Sequence, residues 1–298
     1  MVDERVTSAA RAVADVPVGA SLAVWDQRTP ALARTHRVVC WNLPGHGGSP
    51  ANLLPDGGTV ADLERLVLVP ANTLSIDRFA YAGISLGGAV GTWLAVHHPE
   101  RVTLLAVLCS SARFSGPRGW LDRVALVRAR GIRPLVDTAA GRWFTPSFAT
   151  APAAEELVDD LSAAVPEVYA ALCGALVEYD LRTELPRITA PTLVLAGRED
   201  PATPVAHARG LADGIPPRGP DRGDASGTPG KRRASGTCSG SAARTLHCPG
   251  HAPCQRRLPT QRRPGRTPHR PRRRVRRPGI ARTTHFTADF REFITRYA

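Results

Sequence analysis

No apolar run in this 298-residue sequence approaches the roughly 18 to 20 residues that a membrane-spanning helix needs, so no such helix is expected. The start, Met1-Val2-Asp3-Glu4, carries acids where a secretory leader would be basic, and no apolar core follows. Six cysteines are scattered irregularly and form no C-x2-C pair. A disulfide framework is therefore not expected, and a reducing, cytoplasmic setting is. Cys238, His247, Cys248, His251 and Cys254 lie close in sequence but lack zinc-site spacing, so they read as incidental. Aromatic residues are few, 5% of the chain, and none lies between Pro216 and His285. Only one lysine stands among 39 basic residues.

The formal net charge of +13 is concentrated in one place. Positions 216–282 hold 18 basic residues against Asp221 and Asp224, a balance of +16, and the rest of the chain balances at −3. That segment also holds eleven prolines and shows neither helical nor strand periodicity, so it is expected to be disordered and to add no strand to a core. Arg272-Arg273-Arg274 and Arg276-Arg277 would attract any polyanion at low salt. Without interleaved aromatics, specific nucleic-acid recognition is not expected. A polycationic, non-enzymatic nucleic-acid-binding chain is the alternative from outside the enzymes.

Elsewhere strand and helix patterns alternate. Arg37 to Trp41, Phe79 to Ile84, Val102 to Cys109 and Thr192 to Ala196 read as strands, and the third is almost wholly apolar, as a buried parallel strand should be. Leu86 to His98 and Val205 to Leu211 read as helices. Between them, Leu121 to Ala129 and Ala153 to Val177, broken at Pro166, read as an all-helical insertion. The pattern predicts an α/β fold with a mostly parallel, doubly wound sheet. Its expected divisions are a first core part at 1–112, a helical cap at 113–186 and a second core part at 187–215.

Gly83-Ile84-Ser85-Leu86-Gly87 fits G-x-S-x-G between a predicted strand and a predicted helix, the context of a nucleophile elbow. Such a turn exposes the Ser85 hydroxyl above the strand ends, and the Leu86 N–H at the helix start is placed to bind an oxyanion. An acid partner should follow a later strand: Asp200, with Glu199 as the adjacent alternative. His46 reads as a turn residue, and His97 and His98 as helix-end residues.

Gly19-Ala20-Ser21-Leu22-Ala23-Val24-Trp25-Asp26, Leu43 to Pro50, Ala82 to Arg101, Arg142-Trp143-Phe144-Thr145-Pro146 and Ala196 to Pro204 make the chain similar, over about residues 18–215, to the α/β-hydrolase family. Within that family it resembles the 3-oxoadipate enol-lactonases. The resemblance implies Ser85 as nucleophile, Asp200 as triad acid, the Val18 and Leu86 backbone N–H groups as oxyanion hole, and Arg142 with Trp143 as substrate-holding residues. It implies a small-molecule lactone substrate and no metal or cofactor. Another capped α/β-hydrolase, an esterase or C–C hydrolase, is the alternative within enzymes.

Three departures accompany the resemblance. Asn42 stands where the family usually has aspartate. Residues 1–17 are a polar mixture with no recognisable strand. The triad histidine is missing: family spacing puts it at Thr228, and no histidine lies between His207 and His247.

Read one nucleotide later, the junctions from Thr228 to Gly236 permit His, Leu, Ala, Asn, Val, Glu, Arg and Pro in that order, very like the family's loop after its last strand. A frameshift beginning near 216 and reversed before about 283 is therefore expected, with the triad lost in consequence. Ala281 to Thr287 and Phe293 to Ala298 resemble the beginning of a 4-carboxymuconolactone decarboxylase domain, expected at 283–298.

Overall fold

The computed structural model describes residues 2–5, 11–114, 116–217 and 244–248. Its centre is a seven-stranded sheet in the order β1-β3-β2-β4-β5-β6-β7. The strands are β1 (Val2–Arg5), β2 (Arg11–Asp15), β3 (Arg37–Trp41), β4 (Phe79–Ile84), β5 (Val102–Leu108), β6 (Thr192–Gly197) and β7 (Arg244–Cys248). Strand β1 pairs antiparallel with β3, and every other pairing is parallel. All carboxyl ends from β2 to β7 therefore emerge at one edge.

Two expectations are corrected. Residues 1–17 supply two strands, and β2 sits between β3 and β4 inside the sheet. Five residues beginning with arginine give little periodicity, but pairing on both sides satisfies the backbone groups that a buried segment must satisfy. Likewise 216–282 does add a strand to the core sheet: β7 pairs with β6, Leu195 opposite Leu246 and Ala196 opposite His247. The exposed edge of β6 offers a row of unpaired backbone groups that a five-residue segment can fill whatever its composition. The rest of that segment from 218, and the decarboxylase-like stretch 283–298, lie outside the described residues.

Helices α1 (Ala23–Asp26) and α2 (Thr29–Leu32) link β2 to β3, and α3 (Val60–Thr73) precedes β4. Helix α3 is not among the sequence expectations, although Thr59 and Asp62 form a capping box at its start. Helix α4 (Leu86–His97) is buried along ten of its twelve residues. Glycine lets it approach the sheet so closely: a Cβ on Gly91 would run into the Tyr81 ring. Four helices stand between β5 and β6, namely α5 (Pro117–Arg130), α6 (Arg133–Trp143), α7 (Pro152–Ser162) and α8 (Pro166–Ala175). The break at Pro166 falls between α7 and α8, where proline opens a helix. Helix α9 (Val205–Gly214) follows β6. No helix among the described residues is long and apolar enough to cross a membrane.

Asp15, fully buried at the end of β2, joins several elements. Its Oδ1 accepts the Val16 N–H at 2.7 Å, its Oδ2 the Tyr81 hydroxyl at 2.6 Å, and its carbonyl the Trp25 indole N–H at 3.0 Å. The Tyr81 hydroxyl also lies 3.1 Å from the Gly87 carbonyl in α4. One phenolic proton cannot serve both acceptors fully, so a protonated Asp15 that donates to Tyr81 releases that proton for Gly87. Burial pushes the Asp15 carboxyl up to about 7, against the lowering effect of Tyr81.

Between about pH 4 and pH 7 the folded protein thus holds a proton that the unfolded chain has lost, so this group's contribution to stability falls as pH rises through that window. In Asp15→Asn this dependence should vanish. Thermal unfolding of both proteins from pH 4 to 7.5 measures it, and the original should lose ground to the variant as pH rises. Tyr81→Phe should cost about 1.5–3 kcal/mol above about pH 8, where it strips a charged acceptor of its partner, and less below about pH 6, where Asp15 is protonated.

Candidate active site

The turn from β4 into α4 holds Ser85 at φ 53° and ψ −112°, a left-handed conformation that side chains rarely adopt. Its neighbours hold it there. The Ser85 N–H donates to the Leu108 carbonyl at 2.9 Å, and the Ser85 carbonyl accepts from Ala89 N–H at 3.0 Å and Ser110 Oγ at 2.7 Å. A Cβ on Gly83 would collide with the Gly87 carbonyl, so glycine is required there. Leu86 begins α4 directly after Ser85, and its N–H, in the first helical position, has no intrahelical acceptor.

Ser85 lies on the wall of a cavity of about 380 Å³ between the carboxyl edge of the sheet and helices α5 to α8. The expected residues Val18, Arg142, Trp143 and Asp200 share that wall. Leu86 is fully buried, and its place in the set is through its backbone alone. Asp200, just beyond β6, accepts from the Ala202 and Thr203 N–H groups at 2.8 and 2.9 Å on Oδ1 and from the Thr203 hydroxyl at 2.6 Å on Oδ2. Glu199 is exposed and off the wall, so of the two acids only Asp200 faces the cavity.

The loop carrying Val18 is held by His46, which its sequence context marks only as part of a turn. The Gly19 N–H donates to His46 Nε2 at 3.1 Å, and His46 Nδ1 lies 2.8 Å from the Pro44 carbonyl. Because Nε2 accepts, Nδ1 must carry the proton and donate, so the imidazole is neutral. Burial keeps its pKa below the usual histidine value, against the raising effects of Pro44 and Asp160. Asn42 steadies the same loop. Its Oδ1 accepts from Leu22 N–H at 2.8 Å and its Nδ2 donates to the Gly47 carbonyl at 2.9 Å, a donation that an aspartate could not make.

Thr228, where the family would place its histidine, lies outside the described residues, as do Cys238, His251 and Cys254. His247 is described through its backbone, in register with Ala196 near the carboxyl edge. His207 is half-buried on α9, its pKa lowered by burial against the opposing charge of Asp200, and it is not on the cavity wall. His97 stacks on Trp93 with ring centroids 4.2 Å apart, and His98 pairs with Glu64 at 2.9 Å, both away from the cavity. Among the described residues no group of three histidines, cysteines or acids could hold a metal ion.

Residues 18–219 match the family model described as the alpha/beta hydrolase fold. The chain is 37% identical over 200 residues to 3-oxoadipate enol-lactonase 2 of Acinetobacter baylyi, covering 66% of this chain and 74% of that protein. It is 31% identical over 206 residues to the putative carbamate hydrolase RutD of Stutzerimonas stutzeri, covering 67% and 77%. The crystal structure of the enol-lactonase from Burkholderia xenovorans LB400 superposes with a TM-score of 0.76 at 25% identity, covering 99% of this chain and 96% of that one. With the left-handed serine turn at the carboxyl edge of a parallel sheet, these matches place the chain in the α/β-hydrolase family.

Proposed function

We propose that this protein is built to hydrolyse a lactone ester, 3-oxoadipate enol-lactone, to 3-oxoadipate, a step in the breakdown of aromatic compounds, with Ser85 as nucleophile. The observation that carries the reading is the strained Ser85 turn opening into a cavity that Asp200 and Val18 also line. The enol-lactonases among the relatives supply the substrate class.

In this scheme the Ser85 oxygen attacks the lactone carbonyl carbon as its proton passes to a base. The negative charge that develops on the carbonyl oxygen is met by the Val18 and Leu86 N–H groups, strengthened by the positive end of α4. The tetrahedral intermediate collapses with cleavage of the ring C–O bond, and the enol oxygen takes the proton from the base. Water, deprotonated by the same base, then attacks the acyl-enzyme and releases the ring-opened acid with Ser85 restored. Asp200 orients the base and stabilises its charged form.

The base is the weak member. With threonine at 228, the chain as it stands is impaired, and hydrolysis rests on the oxyanion hole and on binding. A second reading has one observation in its favour: β7 places His247 at the same sheet edge as Ser85 and Asp200.

Lactone hydrolysis by the purified chain, by Ser85→Ala, by His247→Ala and by a chain carrying the one-nucleotide-shifted translation of 216–282 tests both readings. The original should run on the order of 10⁴ to 10⁶ below the shifted chain, whose turnover Ser85→Ala should abolish. A fast original chain silenced by His247→Ala would replace the first reading with the second. A fast chain indifferent to Ser85→Ala would remove the serine mechanism.

His46→Phe should leave the Gly19 N–H and the Pro44 carbonyl without their partner and cost about 2–4 kcal/mol in denaturant unfolding. The folded His46 pKa is depressed, so its contribution is present above the unfolded value near 6.5 and is lost as pH falls through the folded one. The variant should therefore lack part of the original's acid sensitivity.

A further inference from the structure

The cavity wall carries a charge imbalance that the hydrolytic scheme does not use. Arg123 of α5 and Arg142 of α6 both line it, beside Trp120, Trp143 and Tyr169. Arg123 sits over the ring of Trp120, three residues before it on the same helical face, with its guanidinium carbon 5.0 Å from the ring centroid. It also interacts with the hydroxyl of Tyr169 from α8.

Among the described residues neither arginine forms an ion pair with an acid. Asp200 is the one acid on the described wall, and both its oxygens are engaged by its own loop. Two like charges thus share one cavity with Trp120, Trp143, Phe144 and Tyr169. Burial and the neighbouring Arg123 each pull the Arg142 pKa below its usual value. Such a pair is unfavourable when the cavity is empty and favourable once a planar anion bridges it, because a guanidinium binds a carboxylate through paired N–H donors.

The placement fixes a polarity as well. Both arginines belong to the inserted helices, whereas Ser85, Val18 and Asp200 belong to the sheet edge. A ligand with its ester at Ser85 therefore presents its far end to the arginines. We infer that Arg123, held over Trp120, completes with Arg142 a two-guanidinium clamp for a carboxylate remote from the scissile bond, and that Arg123 makes the cavity select carboxylated over neutral lactones. The inference rests on the cavity being the hydrolytic site, and it adds a specificity-determining residue to it.

Binding is the readout, because it does not require turnover. Trp120 and Trp143 on the cavity wall report occupancy by fluorescence in the full chain, with adipate as the dicarboxylate probe and adipamide as its neutral counterpart. Adipate should bind saturably and more weakly as salt rises. Arg123→Leu should raise its dissociation constant about tenfold to a hundredfold, and Arg123→Lys less. Adipamide should bind weakly and equally to all three proteins. Arg123→Gln, which keeps length and hydrogen-bonding capacity, replaces the leucine variant if circular dichroism shows that one unfolded.

No saturable adipate response, equal adipate affinity in the original and the uncharged variants, or a parallel loss for adipamide would each overturn the clamp. The arginine-rich segment is identical in every variant, so adventitious adipate binding there cancels. A failure of the Ser85 chemistry would leave these affinities untouched, and a failure of the clamp would leave the hydrolysis comparison standing.

Discussion

Much of the wall around the candidate site hangs on Asp15. The residue closes β2, holds Tyr81 from β4, orders the first turn into Val16 and, through its backbone carbonyl, fixes the Trp25 indole. Gly87 packs so tightly against it that a Cβ there would meet the Asp15 side chain. The loop that carries Val18 and the helix that carries Leu86 are thereby positioned by one buried residue. A polar group in a core is costly unless it is fully bonded, and this one sits where two backbone segments must share a common target.

The inserted helices are joined to the core by similar means. The Ser21 hydroxyl and N–H both reach the Asp160 carboxylate of α7, at 2.5 and 3.2 Å. The Gly45 carbonyl accepts the Val165 N–H at the start of α8, and Val168 packs where a side chain on residue 45 would stand. His46 stacks on Tyr169 with centroids 6.3 Å apart. The glycine-rich turn from Leu43 to Ser49 is therefore a three-way junction of the Val18 loop, sheet edge and insertion, where Gly45 and Gly47 leave room for Val168 and Asn42 and Gly48 is set by its positive φ.

The central strands were legible because a parallel strand covered on both faces must be apolar throughout, as Val102–Leu108 is apart from Thr103. Ser85 was legible because its strained turn needs glycine at fixed offsets. Arg11–Asp15 was not, because its strand character comes from neighbours on both sides rather than from its own pattern. Arg244–Cys248 was hidden by composition: a segment dense in arginine and proline gives no periodicity, while pairing asks only for backbone. Helix α6 went unplaced although Pro134 marks its start. His46 and Arg123 look like an ordinary turn residue and an ordinary helix cation. The spacing of Trp120 and Arg123 on one face was the one available hint, and their surroundings are set by a tertiary fold that local spacing does not encode.

Two guanidiniums at the inserted end of the cavity bear on the fate of the product after ring opening. On the proposed function, hydrolysis converts a neutral ester linkage into a second carboxylate, so a singly charged lactone becomes a doubly charged product beside these arginines. On that reading the same charges that favour entry also retain the product, more tightly than the lactone from which it came. In a chain whose base is in place, departure rather than bond cleavage becomes the natural bottleneck.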